Sequence, residues 1–357
     1  MGVGKRAFLL ASTVFVSDAS KYTRRVTVSG QSAGGSMAIQ HLFVHSSLVE
    51  GAAIAAGSPY GCGMLPQEDD PDYTCSYGKP DLTFLNRYIR RRFRQGLIDD
   101  PKHLKNTPII LFNGNADTVV YTKVMRTVLK QLRTFVDRNK LLPVFNTNAA
   151  HVWSKDHGLC YCGACSNYMI SGVCCDVNNC NYDLSGDLFR HFYGRVKPRT
   201  KASHTLHWVN QWNYVPDRSQ AANPHAAMMK WALVYVPSSC RAEPQRCRIH
   251  VNYHGCTSRN WDQRRRWALI LDLNEYGESN SIIIVYPQAY GTQRIGEGCW
   301  NWEPVDGDSQ FDTKRGAQLR TVLNMIEDLP HALEQALVVN NDDPVPTDIS
   351  AEVAVLV

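Results

Sequence analysis

Gly30-Gln31-Ser32-Ala33-Gly34 stands where the backbone pattern of the chain changes. The residues before it, 24–29, read Arg-Arg-Val-Thr-Val-Ser, a run with β-branched residues that predicts a short strand. The residues after it, 36–46, predict a helix. A strand that ends in Gly-x-Ser-x-Gly and turns at once into a helix forms a sharp elbow. The glycines leave room for a strained turn that lifts the serine Oγ out of the sheet. That requirement points to strands packed under helices. The plain alternative is a glycine turn with a bystander serine.

The rest of the chain keeps the alternation. Strands are predicted at 51–57, 108–113, 144–148, 231–236, Arg248–Tyr253 and Ile282–Tyr286. Helices are predicted at 84–95, 121–136, Leu184–Tyr193, 261–276 and 310–327. Strands alternating with helices imply a mostly parallel sheet flanked by helices, an α/β fold. Residues 60–80 and 158–182 read as cysteine-rich loops, and 195–226 as a polar insertion without clear period. With 357 residues, 44% of them hydrophobic, the chain is long enough for one large core. The expected layout is a single domain over 20–337, a possible leader peptide at 1–19 and a loose tail at 338–357. The leader rests on Lys5 and Arg6 before the apolar run 7–16 and the small residues near Ala19. An ordinary helix, or a start lying further upstream, is the alternative.

A net charge of +5 is too mild to demand nucleic acid or an anionic membrane as partner. No apolar run is long enough to span a bilayer. No phosphate loop, dinucleotide fingerprint or Ca²⁺ loop is present, so no cofactor is expected. Twelve cysteines suit an oxidising, extracellular compartment, with reduced core thiols as the alternative.

A serine hydroxyl needs a base to take its proton, and that base needs an orienting acid. The next suitable carboxylate is Asp117, in Asn113-Gly114-Asn115-Ala116-Asp117 at the end of an apolar strand. His151, after the segment 144–148, is the preferred base, and His157 is the alternative. The oxyanion formed by attack on a carbonyl requires two backbone N–H donors. Ala33, next after the serine, is one. The second normally follows a strand that precedes the nucleophile, and nothing upstream of Ser32 can supply it. Yet Arg248–Tyr253 runs into His254-Gly255-Cys256 roughly 220 residues downstream. Circular permutation reconciles the two, with the Cys256 N–H as the second donor.

These pieces together resemble the circularly permuted poly(3-hydroxybutyrate) depolymerases, fungal-type secreted single-domain α/β-hydrolases. The matching segments run from Val-Ser-Gly-Gln-Ser-Ala-Gly-Gly through Ala-Gly-Ser-Pro-Tyr-Gly-Cys, Asn-Gly-Asn-Ala-Asp-Thr-Val-Val, Ala-His-Val-Trp, Asn-Cys-Asn-Tyr-Asp and Tyr-His-Gly-Cys to Gly-Cys-Trp-Asn-Trp, about residues 26–302. The resemblance implies Ser32, Asp117 and His151 as triad, and Ala33 and Cys256 as oxyanion donors. It also implies aromatic contacts to substrate, for which Tyr60, Trp300 and Trp302 are the candidates; the spacing of the tryptophans by two puts both on one side of an extended segment, and core packing is the alternative. The family acts on short-side-chain polyesters. The chain departs from the pattern at 195–230, at Cys160-Tyr161-Cys162-Gly163-Ala164-Cys165 and at Glu303-Pro304, where substrate contacts would lie.

Candidate disulfides are Cys62 with Cys75, Cys240 with Cys247 and Cys256 with Cys299, although sequence alone does not fix connectivity. Cys160, Cys162, Cys165, Cys174, Cys175 and Cys180 form a loop cluster. Zinc is the lesser reading there, because a second spaced pair is missing. Arg90-Arg91-Arg92 and Arg264-Arg265-Arg266 read as solvated basic helix faces. The expected activity is hydrolysis of poly(3-hydroxybutyrate) or a related polyester by a monomer. The alternatives are a carboxylesterase on acetyl or feruloyl polysaccharide esters or short-chain lipids, and a non-catalytic polymer-binding protein. The mass of the unreduced chain checks the cysteine argument: about two mass units are lost per bonded pair. Twelve free thiols would remove the case for export.

Overall fold

The computed structural model describes residues 23–66, 71–164, 173–216, 226–256, 260–292, 296–304 and 308–339. The leader expected at 1–19 and the residues from 340 onward lie outside these. A nine-stranded sheet forms the centre. In chain order its strands are β1 Val26–Gln31, β2 Val49–Ala55, β3 Ile109–Phe112, β4 Leu141–Val144, β5 Leu206–Asn210, β6 Trp231–Tyr235, β7 Arg248–Tyr253, β8 Ile282–Tyr286 and β9 Leu337–Val339. The spatial order is β9-β5-β6-β8-β7-β1-β2-β3-β4. From β8 to β4 all neighbours are parallel, while β6, β5 and β9 each pair antiparallel with the strand before.

Counted from β5, the order across the sheet is first, second, fourth, third, fifth to eighth. That is the α/β-hydrolase order, with the chain beginning at the fifth strand. β7, which carries the His-Gly turn, therefore lies beside β1, which carries Ser32. Their partners are Thr27 with His250 and Gly30 with Tyr253.

Side chains alternate across each central strand, and the two faces enter separate cores. Val26, Val28, Ile54, Val251 and Val285 pack against α1 Ala33–Val44, α3 Thr122–Leu132 and α7 Ala317–Glu327. Phe112, Trp208, Tyr235 and Tyr286 pack on the other face against α4 Leu184–Tyr193, α5 Trp261–Ile270 and α6 Leu273–Asn280. The basic helix α2 Leu82–Arg94 covers the loop that follows β2. Each fully buried Val, Ile or Leu adds about 1.5–3 kcal/mol of hydrophobic stabilisation.

Four expectations change. The polar stretch 195–226 contains β5, which buries Leu206 and Trp208 between two neighbours. Residues 338 and 339, placed in the tail, pair with His207 and Leu206 in the edge strand β9. The strand expected at 144–148 ends at Val144. It is an edge strand, where Pro143 is tolerated, and 145–148 belong to the following loop. The helix expected over 261–276 breaks at Asp272, whose φ is 63°. The Lys155 ammonium holds its carboxylate at 2.7 Å, and Asp visits this left-handed region more readily than most residues.

The basic runs are not wholly solvated either. Arg92 is buried, donating from Nε to the Tyr88 hydroxyl at 2.7 Å and lying near the Asp312 carboxylate. Arg264 and Arg265 are buried as well.

His41, His45, His250 and His254 are enclosed. Burial pushes His41, His250 and His254 down from 6.5 to about 3, and His45 to about 4. As pH falls below 6.5 the unfolded chain takes up protons that the native chain refuses. Stability is therefore complete above 6.5 and is lost on acidification, by up to about 1.4 kcal/mol per pH unit for each histidine. Asp312, pushed up to about 6 by burial, opposes this by one proton between about 6 and 3.8. Urea midpoints are expected to be lower at pH 5 than at pH 7.5. An unchanged or higher midpoint at pH 5 would contradict this balance.

Candidate active site

The elbow is built from backbone contacts that admit almost no side chain. Ser32 sits at φ 60°, ψ −127°, a conformation that costs about 1–3 kcal/mol in a non-glycine residue. Its N–H donates to the Ala55 carbonyl at 3.0 Å, and its carbonyl accepts from Ser36 N–H at 3.0 Å. A Cβ on Gly30 would lie 2.1 Å from the Gly34 carbonyl oxygen. One on Gly34 would lie 2.1 Å from the Tyr253 oxygen and 2.3 Å from that of His254. The start of α1 is thus pressed onto the end of β7. Ala33 opens α1, so its N–H is one of the donors that have no partner inside the helix.

Asp117 lies in the turn after β3. Its Oδ1 accepts from the N–H groups of Val119 and Val120 at 2.8 and 2.9 Å, and its Oδ2 accepts from Asn113 Nδ2 at 3.0 Å. His151 Nδ1 reaches the same Oδ2 at 2.8 Å. A carboxylate oxygen accepts, so Nδ1 carries a proton, and the lone pair of the neutral imidazole is on Nε2. The Asp117 side chain is 1% exposed and that of His151 13%.

Backbone bonds hold the two loops in step. Asn115 N–H donates to Thr147 O at 2.9 Å, and Ala116 N–H to Ala149 O at 3.2 Å. A Cβ on Gly114 would come within 1.9 Å of the Ala149 oxygen, which explains the glycine there. Gln31, just before Ser32, donates from Nε2 to the His151 carbonyl at 3.0 Å. The serine elbow and the histidine loop are therefore joined directly.

The His254-Gly255-Cys256 turn lies against the elbow. A Cβ on Gly255 would stand 3.3 Å from Ser32 Cβ. His254 Nε2 accepts from the Ala289 N–H at 3.1 Å, so its proton lies on Nδ1, which donates to the Gly255 carbonyl at 2.7 Å. Burial, and then the Arg264 charge, push this ring down to about 3, so it is neutral. Pulling the Gly255 carbonyl towards His254 turns the N–H of the next residue, Cys256, the opposite way. Cys256 is bonded to Cys299. Cys62–Cys75 and Cys240–Cys247 are also bonded.

In the cysteine-rich loop Cys162 bonds Cys180, and Cys160 and Cys175 are disulfide-bonded too, which leaves these four unable to bind zinc as thiolates. The side chains of Cys165 and Cys174 lie outside the described set. His157 belongs to a surface cluster with Asp156 and Asp272, where Arg199 and Lys155 already neutralise the acids.

Two of the three aromatic contacts are not available to substrate. Tyr60 is 1% exposed: it stacks on Phe43 at 5.0 Å and donates its hydroxyl to the Asp312 carbonyl at 2.6 Å. Trp300 is fully buried behind the His254-Gly255-Cys256 turn, edge-on to Tyr253 at 5.0 Å and 5.4 Å from the His254 ring. Alternation by two placed both tryptophans on one face in the sequence, but a packed loop need not keep strand periodicity. Trp302 is half-buried against the Cys62–Cys75 cluster. Gln31 and Asn113 were not singled out from the sequence. An x position in a motif and a strand-end asparagine carry no signal of what they will touch.

An α/β-hydrolase fold, permuted and carrying a serine at its nucleophile elbow, is the class that this architecture defines. No family model matches the chain. It is 28% identical over 309 residues to a poly(3-hydroxybutyrate) depolymerase of Delftia acidovorans, covering 85% of this chain and 59% of that one. The chain thus spans less than two thirds of that bacterial relative. It is 28% identical over 321 residues to a polyhydroxybutyrate depolymerase of Talaromyces funiculosus, covering 89% of it. Its fold matches a solved PHB depolymerase, a serine-to-alanine variant complexed with an R3HB trimer, with a TM-score of 0.74 at 25% identity over 87% of this chain and 98% of that one. A PHB depolymerase from Penicillium funiculosum matches with a TM-score of 0.73. In sequence and in fold the chain is similar to the poly(3-hydroxybutyrate) depolymerases.

Gly34→Ala tests the close approach of α1 to β7. Its methyl group must push backbone away from backbone, so a destabilisation of about 1–3 kcal/mol is expected. A melt in which Gly34→Ala matches the wild type would contradict the contact.

Proposed function

We propose that the chain is a secreted serine esterase that hydrolyses poly(3-hydroxybutyrate), or oligomers of it, through Ser32, His151 and Asp117. The observation that carries the proposal is the chain of contacts from Asp117 Oδ2 to His151 Nδ1, and from the His151 carbonyl to Gln31 beside the strained Ser32.

In this scheme His151 Nε2 takes the Ser32 Oγ proton as Oγ attacks the ester carbonyl. Asp117 keeps the imidazole in its Nδ1–H form and stabilises the imidazolium. The N–H groups of Ala33 and Cys256 donate to the tetrahedral oxygen. Collapse expels the alcohol of the chain, which receives the proton from His151, and leaves an acyl-serine. A water, deprotonated by His151, attacks the acyl carbonyl. The resulting intermediate returns Oγ with its proton and releases the hydroxy acid.

The polyester substrate is supported by the relatives, one of which was solved with an R3HB trimer bound. With Tyr60 and Trp300 in the core, Trp302 is the remaining aromatic candidate at the substrate. Secretion is supported by the disulfides, and no helix among the described residues is long and apolar enough to cross a membrane.

The test is release of soluble 3-hydroxybutyrate from amorphous polymer by wild type and Ser32→Ala. The variant is expected to fold normally and to lose activity by roughly 10⁴-fold or more. Near-normal turnover by Ser32→Ala would remove the nucleophile assignment. Wild-type activity on p-nitrophenyl butyrate without polymer release would keep the triad and replace the substrate with another ester.

A further inference from the structure

Behind the oxyanion turn lies a positive charge that no carboxylate among the described residues balances. Arg264, on α5, is 2% exposed. Its Nη1 donates to Gln288 Oε1 at 2.9 Å and lies 3.5 Å from His254 Nε2. The guanidinium sits 5.7 Å from the centre of the Trp261 ring, and its Nε has no hydrogen-bond partner among the described residues. Among the described residues no carboxylate pairs with it. Burying an arginine in this way is costly, and such groups ordinarily sit beside an acid. Burial pushes its pKa down to about 9, still well above neutral, so the charge is retained.

The surroundings hold the group in place. Gln288 donates from Nε2 to the Tyr286 carbonyl at 2.9 Å, and its N–H donates to Gln211 Oε1 at 3.2 Å. Arg264 is thereby anchored to the end of β8 beside the residue, Ala289, that fixes the His254 ring. The ring in turn holds the Gly255 carbonyl.

We propose that Arg264 is a positioning residue for the oxyanion turn, its charge beside His254 Nε2 favouring the Nδ1–H ring that holds the Gly255 carbonyl and adding positive potential behind the Gly255–Cys256 peptide. The inference rests on the oxyanion role given above to the Cys256 N–H. In the ground state the groups it meets among the described residues are Gln288, His254 and Tyr290, none of them a carboxylate. When negative charge develops on the tetrahedral oxygen, the field stabilises it, so the benefit falls on the transition state and not on substrate binding.

Two pairs of variants separate charge from packing, with p-nitrophenyl butyrate as substrate. Arg264→Lys keeps the charge and Arg264→Met removes it. Gln288→Glu keeps an acceptor for Arg264 but makes it a carboxylate that cancels the charge, whereas Gln288→Met removes both side-chain hydrogen bonds of Gln288 without adding charge. Arg264→Met and Gln288→Glu are expected to lower kcat by about 10- to 100-fold at unchanged KM. Arg264→Lys is expected to recover most of the loss, and Gln288→Met to be much milder than Gln288→Glu. The rate of Ser32 labelling by a fluorophosphonate should fall with kcat.

Equal effects of Gln288→Glu and Gln288→Met, or Arg264→Lys as impaired as Arg264→Met, would overturn the proposal. The Gln288 pair decides the matter if Arg264→Met does not fold. Labelling of Ser32 at the wild-type rate in Gln288→Glu overturns the Arg264 role alone. A wild-type enzyme that is active but unlabelled at Ser32 overturns the underlying site, and the Arg264 role with it.

Discussion

The parallel pairing of β1 with β7 is the contact on which the rest depends. It brings together two strands that lie more than 200 residues apart in the chain, and it places Ser32 and the His254-Gly255-Cys256 turn at the same sheet end. A one-residue slip would turn every side chain to the opposite face. A buried polar ladder guards against that slip. His250 sits between Thr27 Oγ1 at 2.9 Å and Ser29 Oγ at 2.7 Å, and Asn252 Nδ2 donates to Ser29 Oγ at 2.8 Å. Trp267 Nε1 donates to Asn252 Oδ1 at 2.9 Å, closing the ladder against α5. In any other register these groups would be buried without partners, at about 1–3 kcal/mol each.

From that seam the other site elements follow outward. β2 and β3 continue the parallel sheet, and the loops after β3 and β4 carry Asp117 and His151 at the same end as Ser32. Small residues allow the close approaches, with Gly34 against β7 and Gly114 against the Ala149 carbonyl. Permutation moves the chain ends and leaves this neighbourhood untouched. What matters is which strands are adjacent, not where translation starts.

The same seam explains why buried charge and neutral histidines gather here. Packing α1 and α5 onto β1 and β7 encloses His41, His250, His254 and Arg264. Enclosure keeps the three rings neutral, and the Ala289 N–H on Nε2 fixes the tautomer of His254. His41 meets the Tyr253 hydroxyl at 2.7 Å, so even the far face of β7 is held by a ring nitrogen.

Local chemistry settled much of this protein in its sequence. The glycine-framed serine between a strand and a helix is legible because the elbow depends on short-range sterics. The central strands are legible because continuous apolar runs mark burial on both faces. Asp117 is legible because it follows such a strand, and His151 as its partner because an acid calls for a base, although the strand before His151 is an edge strand whose span the sequence misplaced. Short loops between cysteines made Cys62–Cys75 and Cys240–Cys247 natural pairs. Tertiary structure alone decided what each side chain meets across the fold. It sent Tyr60 and Trp300 into the core, drew Arg92 and Arg264 inside, made a strand of Leu206–Asn210 and gave Gln31 the His151 carbonyl. Those outcomes turn on partners tens to hundreds of residues away, and local periodicity holds no record of them.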